Sequence, residues 1–204
     1  MRAYTVAAWA FHQGADRLIL VDDVEEAVNI ASAIPGALLF KDGAPDERFA
    51  LHNSPRQLLD LDVAGRTIVQ RTNAGTRAAV ASRGADRMLC AALVCASATA
   101  EAVRRIGVDR ATFVVSGGLD ADEDLACAEL IARRVDDESI DCSVYVTRAS
   151  RSRSAIGLTA AAERRFPGVT VDDVPMCLEV DRFDFAMEAV PEAEHLVLRR
   201  FAPT

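Results

Sequence analysis

Residues 67–83 read TIVQRTNAGTRAAVASR, and this stretch decides the fold class. Its first four residues are a short apolar run rich in β-branched side chains, which predicts a buried strand at Thr67–Gln70. Apolar residues at helical spacing then predict a helix over Gly75–Arg83. A strand that passes into a helix through so short a loop is typical of a sheet covered by helices.

The same alternation continues on both sides of this stretch. Towards the N-terminus, the sequence predicts helices at residues 2–14 and Asp23–Ala33 and strands at Arg17–Val21 and Ala37–Phe40. Towards the C-terminus, it predicts strands at Arg87–Ala91 and Thr112–Ser116 and helices at Cys95–Ile106 and Asp122–Val135. We therefore expect an α/β protein with three layers, α/β/α, in which the segments TIVQ, MLCAA and FVVSG lie side by side in a mostly parallel sheet.

Beyond Asp136 the pattern changes. Helices are predicted at Asp141–Arg148, at Ser154–Phe166 and in the short segment DDVPMCLEV. The segment His195–Phe201 alternates like a strand, and we expect it to return as an antiparallel edge strand that makes the sheet mixed. Because the chain contains no repeat and no long Pro/Gly/Ser linker, residues 1–204 are predicted to form a single domain.

The composition excludes several classes of protein. The 31 acidic residues are interspersed with 23 basic ones and the net charge is −8, so a nucleic-acid partner is not expected. No apolar run approaches the ~18 to 20 residues of a membrane-spanning helix, and the N-terminus lacks a signal-peptide pattern. We therefore expect a soluble, cytoplasmic protein with no membrane partner. Its five scattered cysteines predict reduced core thiols rather than disulfides or a metal site.

Three loops follow predicted strands, where ligands bind in open α/β sheets. In the loop Arg71–Arg77, Gly75 permits a tight turn with free amides, the Thr76 hydroxyl can donate, and Arg71 and Arg77 carry guanidinium groups that match phosphate oxygens. The alternative is an ordinary helix start flanked by solvated arginines. In the loop His52–Pro55, residues Asn53 and Ser54 could contact a ligand or cap a helix that begins at Pro55.

The third loop, Ser116–Asp124, is acidic. Its carboxylates suit the positive end of the following helix, which is one interpretation. The other is a site for a hard cation, because Mg²⁺ takes one or two carboxylates together with water and substrate oxygens. Glu123 and Asp124 stand where such ligands would be expected.

Taken in order, these segments resemble the 2-phosphosulfolactate phosphatase (ComB-like) family. The family's Asn-Ser-Pro loop is similar to residues 52–55, and its Thr-Asn-Gly-Thr-Arg-Ala loop to residues 73–78. Its Asn-Ala-Ser-Ala helix start is similar to residues 95–98, and its Glu-Asp-x-x-Cys-Ala segment is identical to residues 123–128. Residues 2–15 resemble, in length and in both ends, the Thr/Ser-rich helix that follows the family's Asp-Val-Leu-Arg-Ala motif and ends in Asn-Gly-Ala. The resemblance runs over residues 2 to about 135.

This resemblance implies an α/β/α fold and Mg²⁺-dependent hydrolysis of a phosphate monoester on a small sulfonated or carboxylated acid. A small anionic phosphorylated substrate is therefore the expected partner. The resemblance assigns Glu123 and Asp124 to the metal or to water, with Asp42 as a further metal ligand. It assigns phosphoryl or substrate contacts to Arg2, Asn53, Ser54, Gly75, Thr76 and Arg77.

The sequence differs from the family pattern at several of these positions. Ala50, Ala74 and Cys95 replace an Asp and two Asn residues of the family motifs. Two further interpretations therefore stay open beside the phosphatase. One is a catalytically impaired relative that binds an anionic metabolite, and the other is a structural subunit of a homo-oligomer.

Overall fold

A computed structural model describes residues 1–117 and 121–201. Its five-stranded sheet consists of β1 (Arg17–Val21), β2 (Leu38–Lys41), β3 (Thr67–Arg71), β4 (Met187–Glu192) and β5 (His195–Arg200), in the order β2-β3-β1-β5-β4. Neighbours β2, β3 and β1 are parallel, whereas β5 is antiparallel to both β1 and β4. The mixed α/β sheet is thus confirmed, and β5 lies inside the sheet instead of at its edge.

Nine α-helices surround or adjoin this sheet in the described parts of the chain. They are α1 (Arg2–His12), α2 (Val24–Ala33), α3 (Pro55–Leu58), α4 (Gly75–Ala81), α5 (Ala96–Ile106), α6 (Asp122–Asp136), α7 (Ser143–Ser150), α8 (Arg153–Glu163) and α9 (Asp173–Leu178). Each corresponds to a helix that the sequence predicts, with ends that shift by up to three residues. Asp23 and Ser54 begin α2 and α3 as predicted caps, because their side chains accept hydrogen bonds from the amides of Glu26 and Gln57.

The three layers follow from the two-residue period of the strands. Leu18, Leu20 and Ile68 face a core shared with α1, and the alternate residues Ile19 and Val69 face a core shared with α2. Seven consecutive residues of α1 are buried, so this alanine-rich helix lies inside the molecule. A third apolar cluster joins α5, α6 and α7. Helices therefore cover both faces of the sheet.

Two predicted strands are wrong. Thr112–Ser116 is an irregular loop in which Phe113 and Val114 are 40% and 61% exposed. In the segment Arg87–Ala91, Leu89 makes one isolated antiparallel bridge, to Glu188 of β4. Neither segment lies beside TIVQ in the sheet, because the two neighbours of β3 are β2 and β1.

The sheet positions the candidate site through its parallel strands. The last residues of β1 and β2, Val21 and Lys41, both align with Arg71, the last residue of β3. The loops that follow these three strands therefore leave the sheet at one common edge, which is formed by the carboxyl ends of the parallel strands. Within residues 1–117 and 121–201, no helix is long and apolar enough to span a bilayer.

Candidate active site

A cavity of about 1040 Å³ lies at this edge of the sheet. All three predicted loops and the start of α1 contribute to its polar end. The residues there include Met1, Arg2, Asp42, Asn53, Thr72, Gly75, Ser116, Glu123 and Asp124. Residues 118–120 of the acidic loop, with the carboxylate of Asp120, lie outside the described residues. Six of the nine residues singled out in the sequence therefore line one cavity, although they come from distant parts of the chain.

The acidic side of the cavity is formed by the first turn of α6. Ser116 Oγ donates a 3.0 Å hydrogen bond to Asp124 Oδ2, and the Met1 ammonium donates a 2.9 Å bond to Asp124 Oδ1. Glu123 is 6% exposed, and its Oε2 has no hydrogen-bond partner among the described residues. A buried carboxylate oxygen without a donor is unfavourable, so this corner of the cavity favours a positive charge or a donor.

The Met1 ammonium shows the same electrostatic preference. Burial is the largest single influence and lowers the pKa of this group, but Asp124, Cys177 and Glu123 together outweigh it, and the pKa is raised. Glu123 Oε1 lies 3.8 Å from the same nitrogen. In the described chain the Met1 ammonium is the cation beside Glu123 and Asp124, so Mg²⁺ would have to take its place there.

The donor set of this corner fits Mg²⁺. Two carboxylates and the Ser116 hydroxyl are hard oxygen ligands, and Mg²⁺ completes its shell with water and substrate oxygens. Asp42 does not join them, because within the described parts of the chain no three His, Cys, Asp or Glu side chains come together as a metal-binding group. Its carboxylate accepts hydrogen bonds of 2.9 and 3.0 Å from the Asn73 amide and lies 3.7 Å from Arg71. The assignment of Asp42 as a further metal ligand therefore stays a prediction, and in this structure its carboxylate pairs with the Asn73 amide and Arg71.

Arg2 and Asn53 supply donors to the same cavity. Arg2 Nη1 donates to the Gly168 carbonyl at 2.9 Å and to Asp173 Oδ2 at 3.3 Å. The Oδ1 atom of Asn53 accepts a 2.9 Å hydrogen bond from Gln70 Nε2, which fixes the orientation of the Asn53 amide. Its Nδ2 group has no hydrogen bond within the described chain and is available to an anionic oxygen.

Ser54, Thr76 and Arg77 do not line the cavity. Ser54 Oγ donates to Asp173 Oδ1 at 2.5 Å, while the buried Thr76 hydroxyl accepts a 2.7 Å hydrogen bond from the amide of Thr72. Arg77 is exposed on α4. These contacts stabilise the turns before α3 and α4, so a direct contact of these side chains with the phosphoryl group is not what the structure favours.

Gln70 and Asp173 hold the site residues in place, and the sequence analysis missed both. Gln70 is fully buried, and its Nε2 also donates to the Ala3 carbonyl at 3.0 Å. A polar residue at the end of an otherwise apolar strand is a signal that could have identified Gln70. Asp173 is fully buried at the start of a short helix, where an Asp ordinarily caps, and no sequence signal distinguishes it from such a cap.

Comparison with known proteins agrees with this geometry. A sequence model of the family described as 2-phosphosulpholactate phosphatase matches residues 1–192. A protein of Bacillus subtilis, named "Probable 2-phosphosulfolactate phosphatase", is 26% identical over 98% of this chain and 88% of its own length. A protein of the same name from Thermus thermophilus is 31% identical over 88% of this chain and 81% of its own length. The matched region contains every residue that lines the cavity. The chain therefore belongs to the 2-phosphosulpholactate phosphatase family.

Proposed function

We propose that the chain hydrolyses the phosphate monoester of 2-phosphosulfolactate or of a related small phospho-acid, with Mg²⁺ as its cofactor. One observation carries this proposal. A single cavity brings the carboxylates of Glu123 and Asp124 together with the Arg2 guanidinium and the free amide donor of Asn53. The names of the relatives support the same reaction and substrate class.

Different residues of the chain bind the substrate, accept a proton and hold the metal. The Nε and Nη2 groups of Arg2, which make no hydrogen bond within the described chain, bind phosphoryl oxygens, and Asn53 Nδ2 adds a neutral donor that orients the substrate. Glu123 Oε2 is a free acceptor for a proton of the attacking water. Glu123, Asp124 and the Ser116 hydroxyl hold the metal. Bound there, Mg²⁺ supplies Lewis-acid stabilisation of the negative charge that spreads over the transferred group.

The direct test is release of inorganic phosphate from a panel of phosphorylated three-carbon acids that includes 2-phosphosulfolactate. We expect turnover with Mg²⁺, loss of turnover in EDTA, and recovery when Mg²⁺ is restored. Asp124→Asn should abolish turnover while circular dichroism shows a folded protein, because the amide keeps the shape and removes the ligand charge.

Arg2→Ala and Arg77→Ala separate the cavity residues from the exposed ones. Arg2→Ala should lower kcat/KM roughly tenfold to hundredfold, the equivalent of the ~1.5–3 kcal/mol of a charge-assisted hydrogen bond. Arg77→Ala should stay within about twofold, because Arg77 lies outside the cavity. If no substrate releases phosphate but inorganic phosphate raises the melting temperature, and Arg2→Ala removes that rise, the chain is an anion-binding relative instead of a phosphatase.

A further inference from the structure

Asp173 is a fully buried carboxylate at the start of α9. It accepts four hydrogen bonds. Its Oδ1 receives the hydroxyls of Ser54 at 2.5 Å and Thr170 at 2.9 Å, and its Oδ2 receives the Thr170 amide at 3.2 Å and Arg2 Nη1 at 3.3 Å. Burying a charge is costly even when it is paired, and an apolar residue often gives equal stability. Stability alone is therefore a weak reason for this residue.

One of its partners is Arg2, a cationic residue that lines the cavity. The two hydrogens of Arg2 Nη1 are used by Asp173 and by the Gly168 carbonyl, 2.9 Å away. The remaining donors, on Nε and Nη2, have no partner in the described parts of the chain. Asp173 thus holds the guanidinium by one nitrogen and leaves the other two for a planar or tetrahedral anion.

Its second partner adjoins the neutral donor of the cavity. Ser54 follows Asn53, whose φ of 58° lies in the left-handed region. Such a backbone costs energy and persists where its surroundings fix it. Gln70 fixes the Asn53 side chain, and Ser54, held between Asp173 and the amide of Gln57, fixes the backbone that follows.

We propose that Asp173 is a positioning residue for the reaction: it joins Arg2 and the Asn53-Ser54 turn into one preorganised binding site for the phosphorylated substrate. This proposal rests on the proposed phosphatase function. Asp173 does not line the cavity and acts through Arg2 and Ser54. In enzymes, the loss of a contact that positions a binding or ligating side chain typically lowers activity by about 10- to 100-fold.

The test is a double-mutant cycle of Asp173→Asn with Arg2→Ala, followed by kcat/KM for phosphate release. An Asn side chain cannot accept all four hydrogen bonds, so Asp173→Asn should lower kcat/KM about ten- to hundredfold. The double variant should lie less far below Arg2→Ala than Asp173→Asn lies below the wild type, because Asp173 acts partly through Arg2 and partly through Ser54. The matched control is Asp172→Asn, the exposed neighbour, which should stay within about twofold of the wild type.

Two results would overturn the proposal. One is a folded Asp173→Asn variant with nearly wild-type kcat/KM, and the other is full additivity with Arg2→Ala, which is expected of a merely structural role. If Asp173→Asn does not fold, Ser54→Ala replaces it as the test variant, because it removes the other partner of Asp173. An unchanged kcat/KM in Ser54→Ala would then contradict the proposal.

Failure of the proposed function is a separate outcome. If the wild-type chain releases no phosphate, inorganic phosphate serves as the probe of the same site. A phosphate-dependent rise in melting temperature that Asp173→Asn and Ser54→Ala both remove would support positioning without catalysis. A rise that persists in both variants would refute it.

Discussion

At Gly75, helix α4 packs closely against α1. A Cβ atom built there would lie 2.8 Å from the Cβ of Ala3, and the Tyr4 hydroxyl donates to the Gly75 carbonyl at 2.9 Å. The sequence predicted Gly75 as a source of free amides for a substrate. The structure adds a packing requirement that no local pattern reveals, because Ala3 is distant in sequence.

Gly75→Ala should lower the free energy of unfolding by up to about 2 kcal/mol, because overpacking costs about 1–3 kcal/mol and the higher helix propensity of Ala returns ~1 kcal/mol of it. The matched control is Gly157→Ala in α8, where no atom lies within 4 Å of the added Cβ and where we expect a small gain in stability. Urea unfolding measures both. Equal stability of Gly75→Ala and the wild type would contradict the packing argument.

Within the site, the sequence identified residues whose type matches their chemistry. Arg2, Asn53, Glu123 and Asp124 line the cavity. The sequence alone could not distinguish residues that face the cavity from residues that stabilise the turns beside the cavity. Ser54 and Thr76 carry the same donor and acceptor groups as a binding residue, and their hydrogen bonds to Asp173 and Thr72 depend on contacts that only the folded chain provides.

At the scale of elements, local patterns predicted the helices better than the strands. A helix closes its own hydrogen bonds, whereas a strand needs a partner that the sequence does not name. The apolar run at residues 112–116 finds no partner, while β4 forms although Pro191 argues against a strand there. Pro191 is tolerated because β4 is an edge strand.

Asp181 lies in the loop after α9, contacts both α5 and α6, and provides a test at this scale. Its carboxylate accepts a 2.7 Å hydrogen bond from the Ser97 amide at the start of α5 and a 2.6 Å bond from Nη1 of Arg134, a buried residue of α6. Asp181→Ala should lower the unfolding free energy by about 1–3 kcal/mol, because it removes a cap and leaves a buried guanidinium unpaired. The Asp181 side chain is 32% exposed, so water screens part of its interaction with Arg134 and we expect a moderate loss of stability.

Urea denaturation checks this prediction, with Asp184→Ala as the control, because Asp184 is exposed nearby on the same loop. Adding Arg134→Met to Asp181→Ala should recover part of the loss, since it removes the unpaired charge. A change below about 0.5 kcal/mol for Asp181→Ala would show that the contact contributes little.

At the scale of the whole molecule, the thiols report the integrity of the core. All five cysteines are free, and Cys142 alone among them is not fully buried. Burial raises the pKa of Cys90 to about 12 and that of Cys177 to about 11, and it raises the pKa values of Cys95 and Cys127 as well. Four of the predicted core thiols are therefore buried, and their reduced state stays a prediction.

Because the thiolate is the reactive form, four thiols should react slowly with a disulfide reagent at pH 8 in the native protein. We expect one fast equivalent, from Cys142, and five after denaturation in guanidinium. Cys142→Ser should remove the fast phase. Two or more fast equivalents in the native wild-type protein would mean that the core opens more readily than its packing indicates.

The place of β5 in the sheet has a consequence for biosynthesis. The central strand β1 leaves the ribosome long before β5, because Leu18 pairs with Leu198, which is translated 180 residues later. Until residues 195–200 emerge, one edge of β1 is open and its apolar side chains lack their final neighbours. Unpaired strand edges of this kind invite aggregation during slow synthesis. The nascent chain therefore gains most from chaperone protection over the interval between translation of β1 and translation of β5.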